Sequence, residues 1–164
     1  MPRKNAIQLL PAEVIRAIYQ QDRPLLMKVV TPSTVDLLDK QGRSLLTHIV
    51  LQGDEHLLDW IFTQQPMLDL PDCNGWTPLH FAAQSYAVEA AKKLLSAGAM
   101  VDAQDGYGNT PLWRAVFASH GRGAIIYTLL THGADATRRN HNNVSPVELA
   151  YTIANYDVKQ FFPR

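Results

Sequence analysis

A short phrase recurs along this chain at nearly constant spacing. It reads TPLHFAA from Thr77 and returns as SLLTHIV from Ser44, TPLWRAV from Thr110 and SPVELAY from Ser145. Ser44 and Thr77 are 33 residues apart, as are Thr77 and Thr110, and Ser145 follows 35 residues after Thr110. A period of roughly 20 to 50 residues indicates a solenoid, because one short unit cannot bury its apolar face alone and stacked copies can.

Each phrase predicts the start of a short helix. Thr77 is a good N-cap, and Pro78 suits the first helical position, where its missing N–H costs nothing. Apolar residues at helical spacing follow it. A second helix is predicted from about Val88 to Ser96, and Gly98 supplies the left-handed residue that ends it. The sequence therefore predicts a pair of antiparallel helices in each period.

The phrase from Thr77 to Ala82 matches T-P-L-H-x-A, which together with a period of 33 residues is the signature of ankyrin repeats. The chain thus resembles an ankyrin-repeat protein. The resemblance implies an all-α solenoid of stacked antiparallel helix pairs joined by finger-like turns. Upstream, residues 12–20 and 24–30 look like a further helix pair in which the phrase has eroded.

The spacing divides the chain into five units of one domain. They are an N-terminal capping helix pair at 1–38, ankyrin repeats at 39–71, 72–104 and 105–139, and a C-terminal capping repeat at 140–164. Repeat 1 has Gln65 where repeat 2 has Gly98, so its second helix is expected to end less regularly. Repeat 3 carries two extra residues around Ser119–Gly123, which lengthen the turn between its helices.

Charge and composition exclude several classes of protein. Fifteen basic and fifteen acidic residues balance, so bulk attraction to nucleic acid or to an anionic membrane is not indicated. No apolar run approaches the roughly 18 residues of a membrane span, and no secretory leader is visible. Cys73 is the single cysteine and cannot form an internal disulfide. A reducing cytoplasm is the expected compartment.

Six histidines raise the question of a metal or catalytic site. The ankyrin resemblance assigns His80 a structural hydrogen bond between adjacent repeats. The other five show neither paired ligand spacing nor an H-E-x-x-H helix, and Cys73 has no cysteine partner. The glycines of Gly106–Pro111 align with turn residues of the preceding repeat. We therefore expect no metal, no cofactor and no enzyme activity.

The resemblance implies a non-catalytic module that binds a protein partner, of unknown identity, through its concave face and finger tips. We expect no small-molecule substrate and no membrane partner, we do not favour nucleic acid, and we expect a monomer when the protein is free. Its role as inhibitor, immunity-type antitoxin or adaptor stays open. The alternatives are a nucleic-acid-binding protein and an accessory subunit of an enzyme. The predicted partner-binding residues are Lys40, Gln41, Arg43, Asn74, Trp76, Tyr107, Asn109, Trp113, Arg114, Phe117, His141 and Asn142.

Three of these aromatic residues allow two interpretations. Trp76 and Tyr107 lie on predicted turns, where a large ring exposes apolar area that a binding surface would use. Alternatively, each ring lies flat on the neighbouring repeat. Trp113 also allows two interpretations: its ring packs against the next repeat, or it lies on the concave surface.

Overall fold

The computed structural model describes residues 9–162 of the chain, and within that range it is helical without a strand. The predicted all-α repeat fold is confirmed. Residues 1–8 of the predicted N-terminal unit and 163–164 of the C-terminal unit lie outside the described residues. In chain order the α-helices are α1 (Ala12–Tyr19), α2 (Arg23–Val29), α3 (Leu45–Gln52), α4 (Glu55–Thr63), α5 (Pro78–Gln84), α6 (Val88–Ser96), α7 (Pro111–Phe117), α8 (Ala124–Thr131) and α9 (Pro146–Thr152), followed by a 3-10 helix at Val158–Phe161.

Each predicted unit contains the helices expected of it, while the boundaries between units stay predictions. We call α3, α5, α7 and α9 the inner helices and α4, α6 and α8 the outer helices. Neighbouring inner helices pack against each other more extensively than neighbouring outer helices do. We expect the inner helices to line the concave side of the stack.

The inner helices begin where the repeated phrase predicts. Their N-caps are Ser44, Thr77, Thr110 and Ser145, all in extended backbone conformation. The Thr110 hydroxyl accepts the N–H of Trp113 at 3.2 Å, and Ser44 and Ser145 cap their helices in the same way. A cap of this kind satisfies a backbone donor that the first turn of a helix leaves free.

The outer helices end in a left-handed residue in both repeats 1 and 2. Gly98 has φ +96°, as predicted, and Gln65 at the aligned position of repeat 1 has φ +54°. Repeat 1 therefore differs from repeat 2 in the residue type at this position. Its backbone follows the same left-handed path, so the expected less regular end is limited to the residue type. A side chain in this conformation costs roughly 1–2 kcal/mol. In repeat 3 the longer connection is confirmed, because residues 118–123 separate α7 from α8 and only residues 85–87 separate α5 from α6.

One continuous apolar core runs through the stack. Leu46, Leu79 and Leu112 hold the same position in successive inner helices, and all three are fully buried. Leu94 of α6 is buried to the same degree. None of the helices in residues 9–162 combines the length and the apolar character needed to cross a bilayer.

A line of carboxylates also joins the repeats, again at a spacing of 33 residues. Asp36 accepts the N–H of Met67 at 2.8 Å, and Asp69 accepts the N–H of Met100 at 3.0 Å. Asp102 accepts the N–H of Asp135 at 3.1 Å. Burial, reinforced by the nearby Asp135 carboxylate, raises the pKa of Asp102. Each of these bonds ties one unit to the next through the connections that follow α2, α4, α6 and α8.

Replacement of a core leucine tests the repeat register. We expect Leu79→Ala to lower the free energy of unfolding by about 2–5 kcal/mol, because it leaves a cavity shared by neighbouring repeats. Urea denaturation followed by circular dichroism measures this change. The control is Lys92→Ala on the exposed side of α6, whose pair with Glu89 is worth less than about 1 kcal/mol. A loss below about 0.5 kcal/mol for Leu79→Ala would refute the register.

Two glycines with similar backbone conformations but different surroundings test whether neighbouring fingers are in close contact. Gly75 and Gly53 both have positive φ, +81° and +73°. A Cβ on Gly75 would lie 2.8 Å from the backbone nitrogen of Gly106, whereas one on Gly53 would meet nothing within 4 Å. We therefore expect Gly75→Ala to lower the melting temperature clearly more than Gly53→Ala. Equal shifts would mean that the fingers are not in close contact.

Candidate functional site

Four turns project from the stack, and we call them the fingers: residues 39–43, 72–76, 105–109 and 140–144. In finger 2 a single carboxylate oxygen of Asp72 accepts the N–H groups of Asn74 and Trp76, at 2.8 and 2.9 Å. The same two-donor arrangement recurs in the other fingers at Asp39, Asp105 and Asn140. Asp and Asn favour such turns because their short side chains reach the backbone just ahead of them.

Neighbouring fingers are held side by side by backbone hydrogen bonds. The N–H of Gly106 donates to the carbonyl of Asn74 at 2.8 Å. Equivalent bonds run from Cys73 to Gln41 and from His141 to Tyr107. The fingers therefore form one connected row, and the Cys73 thiol is exposed on it.

His80 connects repeats 2 and 3 beneath this row. Its Nε2–H donates to the carbonyl of Asn109 at 3.0 Å, while its Nδ1 accepts the backbone N–H of Thr77. This confirms the predicted structural hydrogen bond between adjacent repeats. Burial holds the pKa of His80 below its ordinary value, because the charged ring would be desolvated. The neutral ring is the form that makes both bonds.

The predicted binding residues fall into three groups by exposure. The half-buried residues are Arg43 and Trp76, which end fingers 1 and 2, and Trp113 and Arg114 on the inner helix α7. Asn109 is 5% exposed, and its side chain bridges Asp105 and Asn140. That burial makes Asn109 part of the scaffold. The exposed residues are Lys40, Gln41, Asn74, Tyr107, Phe117, His141 and Asn142, with Tyr107 at 64% and Phe117 at 57%.

Aromatic rings and guanidinium groups form a continuous line across three repeats. Trp76 lies at its centre, with the Phe81 ring 5.1 Å away, centroid to centroid, on one side. The Arg114 guanidinium lies 4.2 Å from the Trp76 ring on the other side, where it crosses into repeat 3. Contacts of this type contribute about 0.5–1 kcal/mol each at exposed sites.

The line continues at both ends. In repeat 1 the Arg43 guanidinium lies 5.4 Å from the centre of the Phe81 ring. In repeat 3 Arg114 lies 5.6 Å from the Trp113 ring, which stacks on Phe117 at 5.5 Å and 14°. We call the whole set the ladder; in spatial order it consists of Arg43, Phe81, Trp76, Arg114, Trp113 and Phe117.

The two arginines of the ladder differ in charge balance. Arg114 donates from both Nε and Nη2 to the Asp105 carboxylate. Burial acts to raise the pKa of Asp105, but the Arg114 guanidinium and the backbone N–H groups of the finger lower it further, so that its net shift is downward. Arg43, in contrast, has no carboxylate within 4.0 Å among residues 9–162.

Buried polar atoms without hydrogen-bond partners gather on this same face. Among residues 9–162 they are Arg43 Nε, Gln84 Oε1 and Trp113 Nε1. A buried polar atom left unsatisfied costs roughly 1–3 kcal/mol. The inner face thus holds polar groups that the contacts of the fold itself do not satisfy.

A cleft of about 430 Å³ opens at the repeat 3 end of the ladder. Its apolar lining comes from Phe117, Leu149, Ile153 and Tyr156. Because Phe117 belongs to both features, the cleft continues the ladder toward the C-terminal unit.

In the part of the chain that the structure describes, no group of three histidine, cysteine, aspartate or glutamate side chains is placed to hold a metal ion.

Sequence reasoning did not include Phe81 among the binding residues. It follows His80 in the repeated phrase, where an apolar residue is easily assigned to the core. The structure buries Phe81, at 9% exposure, so that it supports the Trp76 ring and does not face a partner. The spacing gives a signal that this position is unusual, because the aligned residues of the neighbouring repeats are His48 and Arg114.

Comparison with known proteins identifies the family. A family model described as "Ankyrin repeats (3 copies)" matches residues 14–105 and 46–140. The chain therefore belongs to the ankyrin-repeat family. Repeats of this family generally mediate contacts between proteins.

Curated relatives share the repeats but are far longer. The chain is 26% identical over 127 residues to human "SH3 and multiple ankyrin repeat domains protein 2". The matched region covers 77% of this chain and 7% of that protein. It is 35% identical over 96 residues to mouse "Neurogenic locus notch homolog protein 1", covering 58% of this chain and 4% of the relative. With human "Rabankyrin-5" the identity is 37% over 83 residues, covering 50% and 7%. The chain thus spans less than a tenth of the length of these relatives.

The buried histidine predicts how stability depends on pH. Because the folded-state pKa of His80 lies below 6.5, the unfolded chain binds more protons as the pH falls under that value. The free energy of unfolding should therefore decrease as the pH is lowered from 6.5. His48, whose pKa is also lowered by burial, acts in the same direction.

Urea denaturation at a series of pH values isolates the His80 contribution. We expect His80→Gln to flatten the dependence of unfolding free energy on pH below 6.5, whatever its effect on stability at neutral pH. His141→Gln, at an exposed finger residue, is the matched control and should keep the wild-type slope. An unchanged slope in His80→Gln would contradict the assignment.

Proposed function

We propose that the ladder and the finger tips bind a protein partner, and that the chain acts by occupying that partner's surface. The observation that carries the proposal is the unbroken line of aromatic and arginine side chains across three repeats. Tryptophan, tyrosine and arginine are the residues that most often dominate the binding energy of protein interfaces. The roles that fit are inhibitor, immunity-type antitoxin and adaptor.

The ladder is suited to this task because its side chains are already held in place. Trp76 is fixed between Phe81 and Arg114, and Trp113 is stacked on Phe117. Fixing rotamers before binding lowers the entropy lost on association. The exposed rings of Phe117 and Tyr107 supply apolar area that folding leaves uncovered.

The proposed contact surface excludes one of the residues predicted from sequence. Asn109 supports the fingers from below and is not offered to a partner. The surface consists of Lys40, Gln41, Arg43, Asn74, Trp76, Tyr107, Trp113, Arg114, Phe117, His141 and Asn142, while the buried Phe81 supports the Trp76 ring. We further propose a monomer when the protein is free and a cytoplasmic location, in keeping with its one exposed, unpaired cysteine.

Truncation of the exposed rings tests the surface without disturbing the core. We expect at least one of the single variants Phe117→Ala and Tyr107→Ala to weaken partner binding tenfold or more, a loss of about 1.4 kcal/mol in binding free energy. Affinity purification from the native cells with mass spectrometry identifies the partner, and calorimetry measures its Kd. Trp76→Ala is a poorer probe, because Trp76 also packs against the core.

Tyr127→Ala is the matched control, since Tyr127 is 50% exposed but lies on the outer helix α8. Wild-type affinity in both Phe117→Ala and Tyr107→Ala would exclude this surface. The roles separate in a further assay: inhibitors and antitoxins lower the activity of the partner, whereas an adaptor holds two proteins at once.

A further inference from the structure

Charge is distributed unevenly over the fingers and the ladder. The finger carboxylates of Asp39, Asp72 and Asp105 are all buried and accept backbone N–H groups. Exposed positive charge remains at Lys40, and Arg43 is half-buried beside it. Acidic side chains that reach solvent lie away from finger 1, as at Asp59 and Glu89 on the outer helices and Glu148 on α9. Finger 1 therefore offers two positively charged side chains, Lys40 and Arg43, and its one carboxylate is buried.

Arg43 is the focus of this charge. Its guanidinium is held against the Phe81 ring, and its Nε is buried without a hydrogen-bond partner. Arg114, which lies two repeats further along the ladder, has its charge neutralised by Asp105. A half-buried guanidinium without a counter-ion is under-solvated, and a carboxylate is the group whose geometry it matches in a two-bond pair.

We propose that the partner presents an extended acidic segment, in which one aspartate or glutamate pairs with Arg43 and an apolar side chain enters the cleft beside Phe117. This inference rests on the proposed function and specifies the chemistry of the partner. The cleft at Phe117 is lined mainly by apolar residues and lies at the opposite end of the ladder from Arg43.

The fold sets the spacing between the two anchors. Packed helices lie about 8–10 Å apart, so the two steps from α3 to α7 cover roughly 18 Å across the stack. The length of a seven-residue helix adds about 10 Å at a right angle, at 1.5 Å per residue. The resulting distance of about 20 Å corresponds to about six residues of extended chain. The acidic and the apolar residue of the partner segment are thus about six positions apart.

A displayed library of random 12-residue peptides, selected on the purified full chain, tests this chemistry. We expect the enriched peptides to carry an aspartate or glutamate about six positions from a large apolar residue. Arg43→Gln should weaken a selected synthetic peptide at least tenfold, and Lys92→Gln on the outer helix α6 should leave its binding unchanged. Thermal melting checks that Arg43→Gln is folded.

A double-mutant cycle makes the test independent of that variant's stability. Changing the peptide's acidic residue to its amide should weaken binding to the wild type at least tenfold, with no further loss on Arg43→Gln. Selected peptides that lack an acidic residue, or that bind Arg43→Gln normally, would overturn the inference. If such peptides still lost affinity for Phe117→Ala, the proposed binding surface would stand without the acidic partner. A library from which nothing is enriched would count against both proposals.

Discussion

The repeat stack depends on one interaction at the base of each finger, in which a single side-chain oxygen accepts two backbone N–H groups. In finger 2 it belongs to Asp72, which accepts two backbone N–H groups and so closes the turn without a β-sheet. Closing the turn sets the direction in which the inner helix starts, because the N-cap Thr77 follows directly. It also places the Asn74 carbonyl where the N–H of Gly106 in the next finger can reach it. Finger, helix and neighbouring repeat are thus fixed together.

The sequence was informative wherever structure is decided locally. The bounds of α6 follow from helix propensity and from Gly98, and the start of α5 follows from Thr77 and Pro78. Side-chain contacts between repeats were not predictable in the same way, because they depend on rotamers and on how far successive helices are offset. The phrase alone could not show that Asn109 turns inward while Tyr107 in the same finger turns outward.

In the proposed binding surface, the ladder residues that stabilise the repeat stack are also those offered to a partner. Of the two interpretations of the aromatic residues, packing on the neighbouring repeat describes Trp76, and exposure describes Tyr107. Trp113 is half-buried and stacks on the exposed Phe117 of its own helix, so its ring contact lies within repeat 3. Rings that stabilise the repeat stack are also rigid, and rigidity favours specific recognition. If the proposed surface is correct, substitutions at Trp76 affect folding and binding together, whereas those at Tyr107 and Phe117 affect binding alone.

The exposed thiol on finger 2 makes this surface open to direct observation. Cys73 is the single cysteine of the chain, and its backbone N–H is bonded to Gln41 in finger 1. A maleimide dye would therefore attach at one defined place, on a rigid turn, without any substitution. Its emission would respond to a molecule settling on the neighbouring fingers, so that the protein carries its own site for a fluorescent reporter of occupancy.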